Sequence, residues 1–310
     1  MVDYALVIFM KKQFAGSIYI LIATVIWGSA FVAQSVGMDY IGPFTFQAVR
    51  CGLAVIGLIP VIWIADLPKK DGKTFLQRWM NKKLWICSLC CAIPLFFAIN
   101  LQQIGLVDTD AGKSGFLTAM YIVLVPVIGF FLGQKTSPWI PVSVVLAVIG
   151  LYLLSCAGVT QVSTSDLLLL GCALMFAIQI VCIDRMAQDL DALRVNCLQA
   201  LFCSIGSAAV MFFTETPTAA NLLDCALPLC YTGFLSMGVA YSLQILGQKA
   251  LEPSAASLLM SMESVFAVIS GWLILGERLT PYEGAGCILV FIAVILSQLP
   301  SKKGGVLQNS

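Results

Sequence analysis

The chain contains no histidine. That absence removes the commonest general base and the commonest zinc ligand from any catalytic scheme. There is also no GxSxG nucleophile turn, no GxxxxGK[ST] phosphate loop and no aspartate pair on facing segments. Neither an enzyme nor a nucleotide-driven pump is therefore expected. Charge is scarce as well: 11% of the 310 residues are charged, against roughly 25% in a soluble domain. With 60% hydrophobic residues, this is the composition of a membrane protein. Seventeen Lys and Arg against 16 Asp and Glu leave a net charge of +1, so nothing points to nucleic acid or a strongly acidic ligand. The 12 cysteines lie mostly inside apolar runs, as do Cys87, Cys90 and Cys91 in LWICSLCCAIPLFF. There they behave as small hydrophobes, and no metal or cofactor is expected.

What is abundant is long apolar runs. A spanning helix needs about 20 mainly apolar residues, and breaks at charged or Gly/Pro-bearing segments give ten spans: 16–36, 44–64, 84–106, 112–133, 138–157, 166–186, 193–214, 225–248, 254–275 and 282–299. The segment MKKQFAGSIYILIATVIWG has the form of a natural start, which makes Met10 a candidate initiator. Its apolar run continues past Val32, too long for a signal-peptide core, and reads as a retained first helix.

Basic residues orient the spans. With the N-terminus inside, Lys11, Lys12, Lys69, Lys70, Lys73, Arg78, Lys82, Lys83, Lys135, Arg185, Arg194, Lys249, Lys302 and Lys303 all fall on the inner side. Lys113 and Arg278 fall near the outer face, and Arg50 lies within the second span. Trp63, Trp85 and Trp139 sit near inner helix ends and Trp272 near an outer one, as amphipathic rings prefer. The one long connection, from Asp66 to Lys83, reads as a basic surface segment resting near anionic headgroups. Short loops elsewhere leave no soluble domain, so function is expected within the membrane.

The chain also repeats itself. TAMYIVLVPVIGFFLGQKTSP ends in Gly133-Gln134-Lys135 followed by Pro138, and SMESVFAVISGWLILGERLTP ends in Gly276-Glu277-Arg278 followed by Pro281, at a constant offset of 143. Leu101, Gln102 and Gly105 match Leu243, Gln244 and Gly247 with a one-residue slip, and Gln47-Ala48 matches Gln199-Ala200. Five spans per unit means that the second unit enters the membrane from the opposite side. Such inverted repeats place a substrate site near the midplane between the halves.

Polar residues inside spans are expected to face the bundle interior or a wet cavity. Several occur three apart, on one helical face: Gln47 and Arg50, Asn100 and Gln103, Asn196 and Gln199, Tyr241 and Gln244. The candidate cavity lining is Gln47, Arg50, Asn100, Gln103, Tyr121, Gln199, Tyr241 and Gln244. Interhelical hydrogen bonding is the alternative for the amides, and headgroup contact is another for Asn196 and Gln199. Arg50 has two readings: snorkelling to the outer interface, or recognition of an anionic group by its planar guanidinium. Glu263 lies nine residues into its span, too deep for its short side chain to snorkel. Its carboxylate must be paired, wetted or protonated there, which makes it the proton-coupling candidate, with substrate binding, pairing with Arg50 and a structural hydrogen bond inside the bundle as the alternatives. Gly129 and Gly133 read as a close helix contact, and Pro94 and Pro126 as points of kinking.

The paired endings FLGQKTSP and ILGERLTP, the segment MESVFAVISGW, and LQALF and LQILGQKA in spans seven and eight resemble the drug/metabolite transporter superfamily, specifically its bacterial EamA-like members. The resemblance runs from about Gly16 to Leu299. It implies an all-α integral membrane protein of ten transmembrane helices in two inverted five-helix repeats, 16–157 and 166–299, flanked by a cytoplasmic N-terminal segment 1–15 and a cytoplasmic tail 300–310. It further implies a secondary transporter of the bacterial inner membrane that exports a small metabolite such as an amino acid by alternating access, with protons as a candidate coupling ion. A channel, a lipid flippase and a non-transporting receptor or scaffold are the competing classes. The expected partners are a small-molecule substrate and the bilayer, and a monomer is compatible with every feature. Many relatives carry Glu-Pro where this chain has Glu263-Ser264, and Glu where it has Gln134.

Overall fold

The computed structural model describes residues 2–69, 72–109, 111–134, 136–155, 163–275 and 280–299. Lys70, Lys135, Arg278, Lys302, Lys303 and the Gly276-Glu277 ending lie outside the described residues, as do the end of the fifth expected span and the tail. The regular structure among the described residues is helical throughout.

The helices in chain order are α1 (Val2–Gly37), α2 (Pro43–Asp66), α3 (Phe75–Trp79), α4 (Lys82–Gly105), α5 (Ala111–Thr118), α6 (Tyr121–Phe131), α7 (Ile140–Ser155), α8 (Thr164–Met186), α9 (Ala192–Thr214), α10 (Ala219–Asp224) and α11 (Ala226–Cys230). A π-helical segment, Tyr231–Ala240, joins α11 to α12 (Tyr241–Gln248). Then come α13 (Pro253–Met260), α14 (Met262–Ser270), a second π-helical segment (Gly271–Leu275) and α15 (Pro281–Ser297).

Among the described residues, eight helical stretches are long and apolar enough to cross a membrane, Met10–Gly37 to Pro253–Leu273. The fifth and tenth expected spans form shorter apolar helices, Ile140–Leu154 and Pro281–Ser297. At 1.5 Å per residue, the 17 residues of α15 rise about 26 Å, short of the roughly 30 Å hydrocarbon core. Helix α1 runs unbroken from Val2, so residues preceding Gly16 continue the same helix.

Local chemistry sets the helix starts. Pro43 opens α2 and Pro281 opens α15, where a missing N–H costs nothing. Ser163 with Asp166 and Thr280 with Glu283 form capping boxes on α8 and α15. The α2 start has a further partner from a distant part of the chain. The Glu215 carboxylate, just past α9, accepts from the N–H groups of Phe44 (2.9 Å) and Thr45 (2.8 Å), where the helix dipole favours a negative charge.

Lipid tails are as apolar as the side chains, so close packing rather than water exclusion holds such helices together. Helices α7 and α15 cross at Gly150 and Gly286: a Cβ on Gly286 would lie 2.5 Å from the Gly150 carbonyl oxygen. Helices α1 and α14 cross at Gly28, where a Cβ would lie 2.5 Å from that of Phe266. Gly133, expected to pack against a neighbour with Gly129, does something else. It ends α6 with φ +72°, the Gln134 N–H bonds back to Gly129 O (2.9 Å) and the Gly133 N–H to Phe130 O (3.0 Å). These are the bonds of a left-handed helix stop, and they account for Gly133 without a helix contact.

Most of the expected inner basic residues gather at one end of the bundle. Arg194, almost wholly buried, bonds to Asp66 and to Asp191, and its guanidinium lies over Trp79 and Phe75. Lys69 bridges Asp66 (3.0 Å) and Asp191 (3.1 Å). Burial alone would push the Asp191 carboxyl up, but the Arg194 N–H and the Lys69 ammonium outweigh it and hold it below the usual carboxylate range. Antiparallel α2 and α9 are thus tied at both ends, by Glu215 at one and Asp66 with Arg194 at the other.

Candidate functional site

Helix α2 carries Gln47 and Arg50 on one face, pointing into the bundle. Arg50 is 2% exposed; its Nε donates to Gln47 Oε1 (2.5 Å) and its Nη1 to Gln34 Oε1 (2.8 Å). Gln47 in turn donates to Ile99 O (2.8 Å) and Gln103 Oε1 (3.2 Å), and Gln103 donates to Gln34 O (3.2 Å). Three glutamines therefore frame one arginine. The snorkelling reading of Arg50 fails because these inward acceptors satisfy the side chain where it is. Among the described residues, no carboxylate pairs with it.

The acidic pole is built where two helices break. The expected fourth span is interrupted between α5 and α6, and Tyr121 is the first residue after that break. The expected ninth span is interrupted at Ser261, and Glu263 follows two residues later. This second break occurs with Ser264, not a proline, after Glu263. The Ser261 hydroxyl donates to Leu258 O (2.7 Å), and the Ser264 hydroxyl donates to Gly115 O (3.3 Å), tying α14 to α5. The Tyr121 hydroxyl then donates to Glu263 Oε1 (3.1 Å). Glu263 is 7% exposed, and that phenol is its only hydrogen-bond partner among the described residues.

Both poles line one narrow cavity, with about 40 Å³ open to the centres of water-sized molecules. Arg50 and Gln34 line it together with Tyr121 and Glu263; Trp27, Phe31, Phe176 and Tyr241 supply aromatic walls; Gln102 and Gln244 add amides. Trp27 and Tyr241 meet edge to face at 5.0 Å, a favoured aromatic geometry. Two polar atoms of these lining residues are buried with no hydrogen-bond partner among the described residues: Trp27 Nε1, a donor, and Gln244 Oε1, an acceptor. Gln244 Nε2 is occupied, donating to Gln179 Oε1 (3.1 Å). Buried polar groups are normally satisfied, so these two have capacity for a bound molecule.

Of the expected lining residues, the cavity brings together Arg50, Tyr121, Tyr241 and Gln244, with Glu263, the proton-coupling candidate, beside them. Gln47 and Gln103 stand behind Arg50. Asn100 bonds to Phe96 O (2.8 Å) and Ser207 Oγ (3.0 Å), an interhelical tie between α4 and α9. Gln199 donates to Asn196 Oδ1 (2.9 Å). Asn196 and Gln199 are both fully buried, which rules out headgroup contact for them. Sequence reasoning missed Gln34, Gln102, Phe31, Phe176 and Ser236. Gln34 is a lone amide near the end of an apolar helix, a readable signal; the aromatics carried none.

The EamA-like transporter family model matches residues 14–156 and, a second time, residues 163–299. The chain is 30% identical over 289 residues to an uncharacterized transporter of Archaeoglobus fulgidus, spanning 93% of this chain and 87% of that protein. It is 24% identical over 284 residues to the uncharacterized transporter YoaV of Bacillus subtilis, covering 90% and 94%. A crystal structure of 15% sequence identity superposes with a TM-score of 0.74 over 91% of this chain and 96% of that one, a likeness of fold. With both halves matched and a relative of this similarity along nearly its whole length, the chain belongs to the EamA-like transporter family and is a multi-pass membrane protein.

Proposed function

We propose that the protein is a secondary transporter that exports a small metabolite such as an amino acid across a bacterial plasma membrane. The observation that carries this reading is one cavity lined by a buried guanidinium from the first half and a buried carboxylate from the second. Arg50 faces the substrate's carboxylate through its planar fork, and Glu263 faces the ammonium or takes up a proton when the substrate leaves. Trp27 Nε1 and Gln244 Oε1 meet its remaining polar atoms.

In this reading the ten expected spans form two inverted units, 16–157 and 166–299, with both termini cytoplasmic. The halves rock about a fixed site, as inverted repeats with broken helices do. The helix breaks beside Tyr121 and Glu263 support this reading, because transporter sites are typically formed by discontinuous helices. No bond is made or broken, so no catalytic residue, metal or cofactor is required.

The test is counterflow in proteoliposomes loaded with an unlabelled amino-acid mixture and supplied with tracer amounts of the labelled mixture. Transient accumulation of label that saturates with concentration is expected. Linear, non-saturating entry would mean a channel, and binding without flux would mean a receptor; either result overturns the proposal.

A further inference from the structure

Of the cavity's lining residues, Ser236 lies within the π-helical segment Tyr231–Ala240 and Tyr241 directly follows it. In that segment hydrogen bonds run from residue i to i+5 instead of i+4, a rare arrangement that turns up mostly at functional sites. The Tyr241 N–H still bonds to Ser236 O, five residues back, whereas Tyr241–Gln248 is α-helical. Returning from one pattern to the other passes over one carbonyl, that of Met237. In an apolar bundle such a carbonyl must find another partner.

Asn196 of α9 supplies it. Its Nδ2 lies 2.9 Å from Met237 O, 2.9 Å from Gly238 O and 2.9 Å from Ser242 Oγ. The amide is held in place by Gln199, whose Nε2 donates to Asn196 Oδ1 (2.9 Å). The π segment is also seated against α2: a Cβ on Gly233 would lie 2.7 Å from that of Leu53 and 3.0 Å from Arg50 O. At its start Tyr231 Oη shares a hydrogen bond of 2.5 Å with Ser29 Oγ of α1.

We infer that Asn196 is a positioning residue for the substrate cavity: by satisfying the carbonyl left over at the π-to-α junction, it fixes the rotational phase at which Tyr241 and Gln244 face the site. A shift of one residue in the hydrogen-bond register turns the helix beyond the junction by about 100°, which would carry both side chains off the cavity wall. The two halves supply an internal comparison. At the register pairing Gln47 with Gln199, Asn196 falls opposite Phe44, which has no side-chain donor, and α4 of that half is α-helical from Lys82 to Gly105. The inference deepens the transport reading and rests on it for the cavity's role, but the geometry it concerns exists without substrate.

The test reads that geometry directly. The purified full-length protein is labelled with 5-fluorotryptophan, and the Trp27 fluorine resonance, assigned with Trp27→Phe, reports the Tyr241 ring 5.0 Å away. Asn196→Asp keeps the shape and replaces the donor with an acceptor facing three oxygens. It is expected to move the Trp27 resonance by more than its linewidth while the other resonances stay in place. Asn100→Ala removes a comparable buried amide bond away from the junction and is expected to leave Trp27 unmoved. If Asn196→Asp does not fold, Asn196→Ser, with one donor left, is read in the same way. A stationary Trp27 resonance in either folded Asn196 variant, or an equal shift in Asn100→Ala, would overturn the inference. No substrate is added, so a failure of the transport reading leaves this result interpretable.

Discussion

Replacing Arg50 with methionine separates what the guanidinium does for the fold from what it does for a ligand. The substitution leaves the Gln34 and Gln47 side-chain oxygens without their donor, at about 1–3 kcal/mol for each buried acceptor. Against this, a buried charge with no carboxylate partner among the described residues disappears, and the desolvation it cost, several kcal/mol, disappears with it. These terms oppose each other and are of similar size, so thermal stability is expected to change by a few degrees at most. Ligand binding has no such compensation. A charge-assisted hydrogen bond is worth about 1.5–3 kcal/mol, so the half-saturating concentration for counterflow should rise roughly tenfold to a hundredfold. Arg50→Lys keeps the charge without the two-pronged geometry and should fall between. The assay is the concentration dependence of labelled amino-acid counterflow, beside a melting curve of the same preparation. A folded Arg50→Met protein with unchanged half-saturation would refute the assignment of Arg50 to the substrate.

Two further outcomes follow from the packing and the ion cluster. Gly286→Ala puts a methyl 2.5 Å from Gly150 O and 2.7 Å from Leu154 N and should destabilise the protein by about 1–3 kcal/mol; Gly284→Ala, which meets nothing within 4 Å, should be neutral, and equal melting temperatures would contradict the packing account. The Asp191 carboxyl is held below its usual range, so its contribution is complete above the unfolded value of about 3.9 and fades as pH falls through the lower folded value. Melting temperature should therefore drop below about pH 4, and Asp191→Asn should shrink that drop; an acid limb identical in wild type and variant would disprove the link.

Sequence carried some of these features plainly and hid others for physical reasons. Arg50 and Glu263 stand out because an ionised group in an apolar run has few ways to exist. Amides spaced by three identify a helical face but not what that face meets. Hence Asn100 and Gln103 were grouped with the cavity, whereas Gln102, one position and about 100° away, is the residue on its wall. The break at Ser261 and the π segment leave no composition signature. Each is decided by tertiary partners, Gly115 O for Ser264 and Asn196 for Met237 O, that lie about 150 and 40 residues away and that no local pattern reveals. Span length was similarly bounded: the tenth span reads as full because flanking residues extend its apolar run, yet α15 is 17 residues long, and the end of the fifth lies outside the described residues.

The most direct measurement concerns Glu263. In Glu263→Gln the side-chain oxygen still accepts from the Tyr121 hydroxyl, so the 3.1 Å contact and the fold should survive, but no proton can be bound or released. In proteoliposomes with an imposed pH gradient, wild-type protein is expected to accumulate labelled amino acid against its concentration gradient, and the variant to support exchange without gradient-driven accumulation. Gradient-driven flux of wild-type size and pH dependence in folded Glu263→Gln would contradict the account.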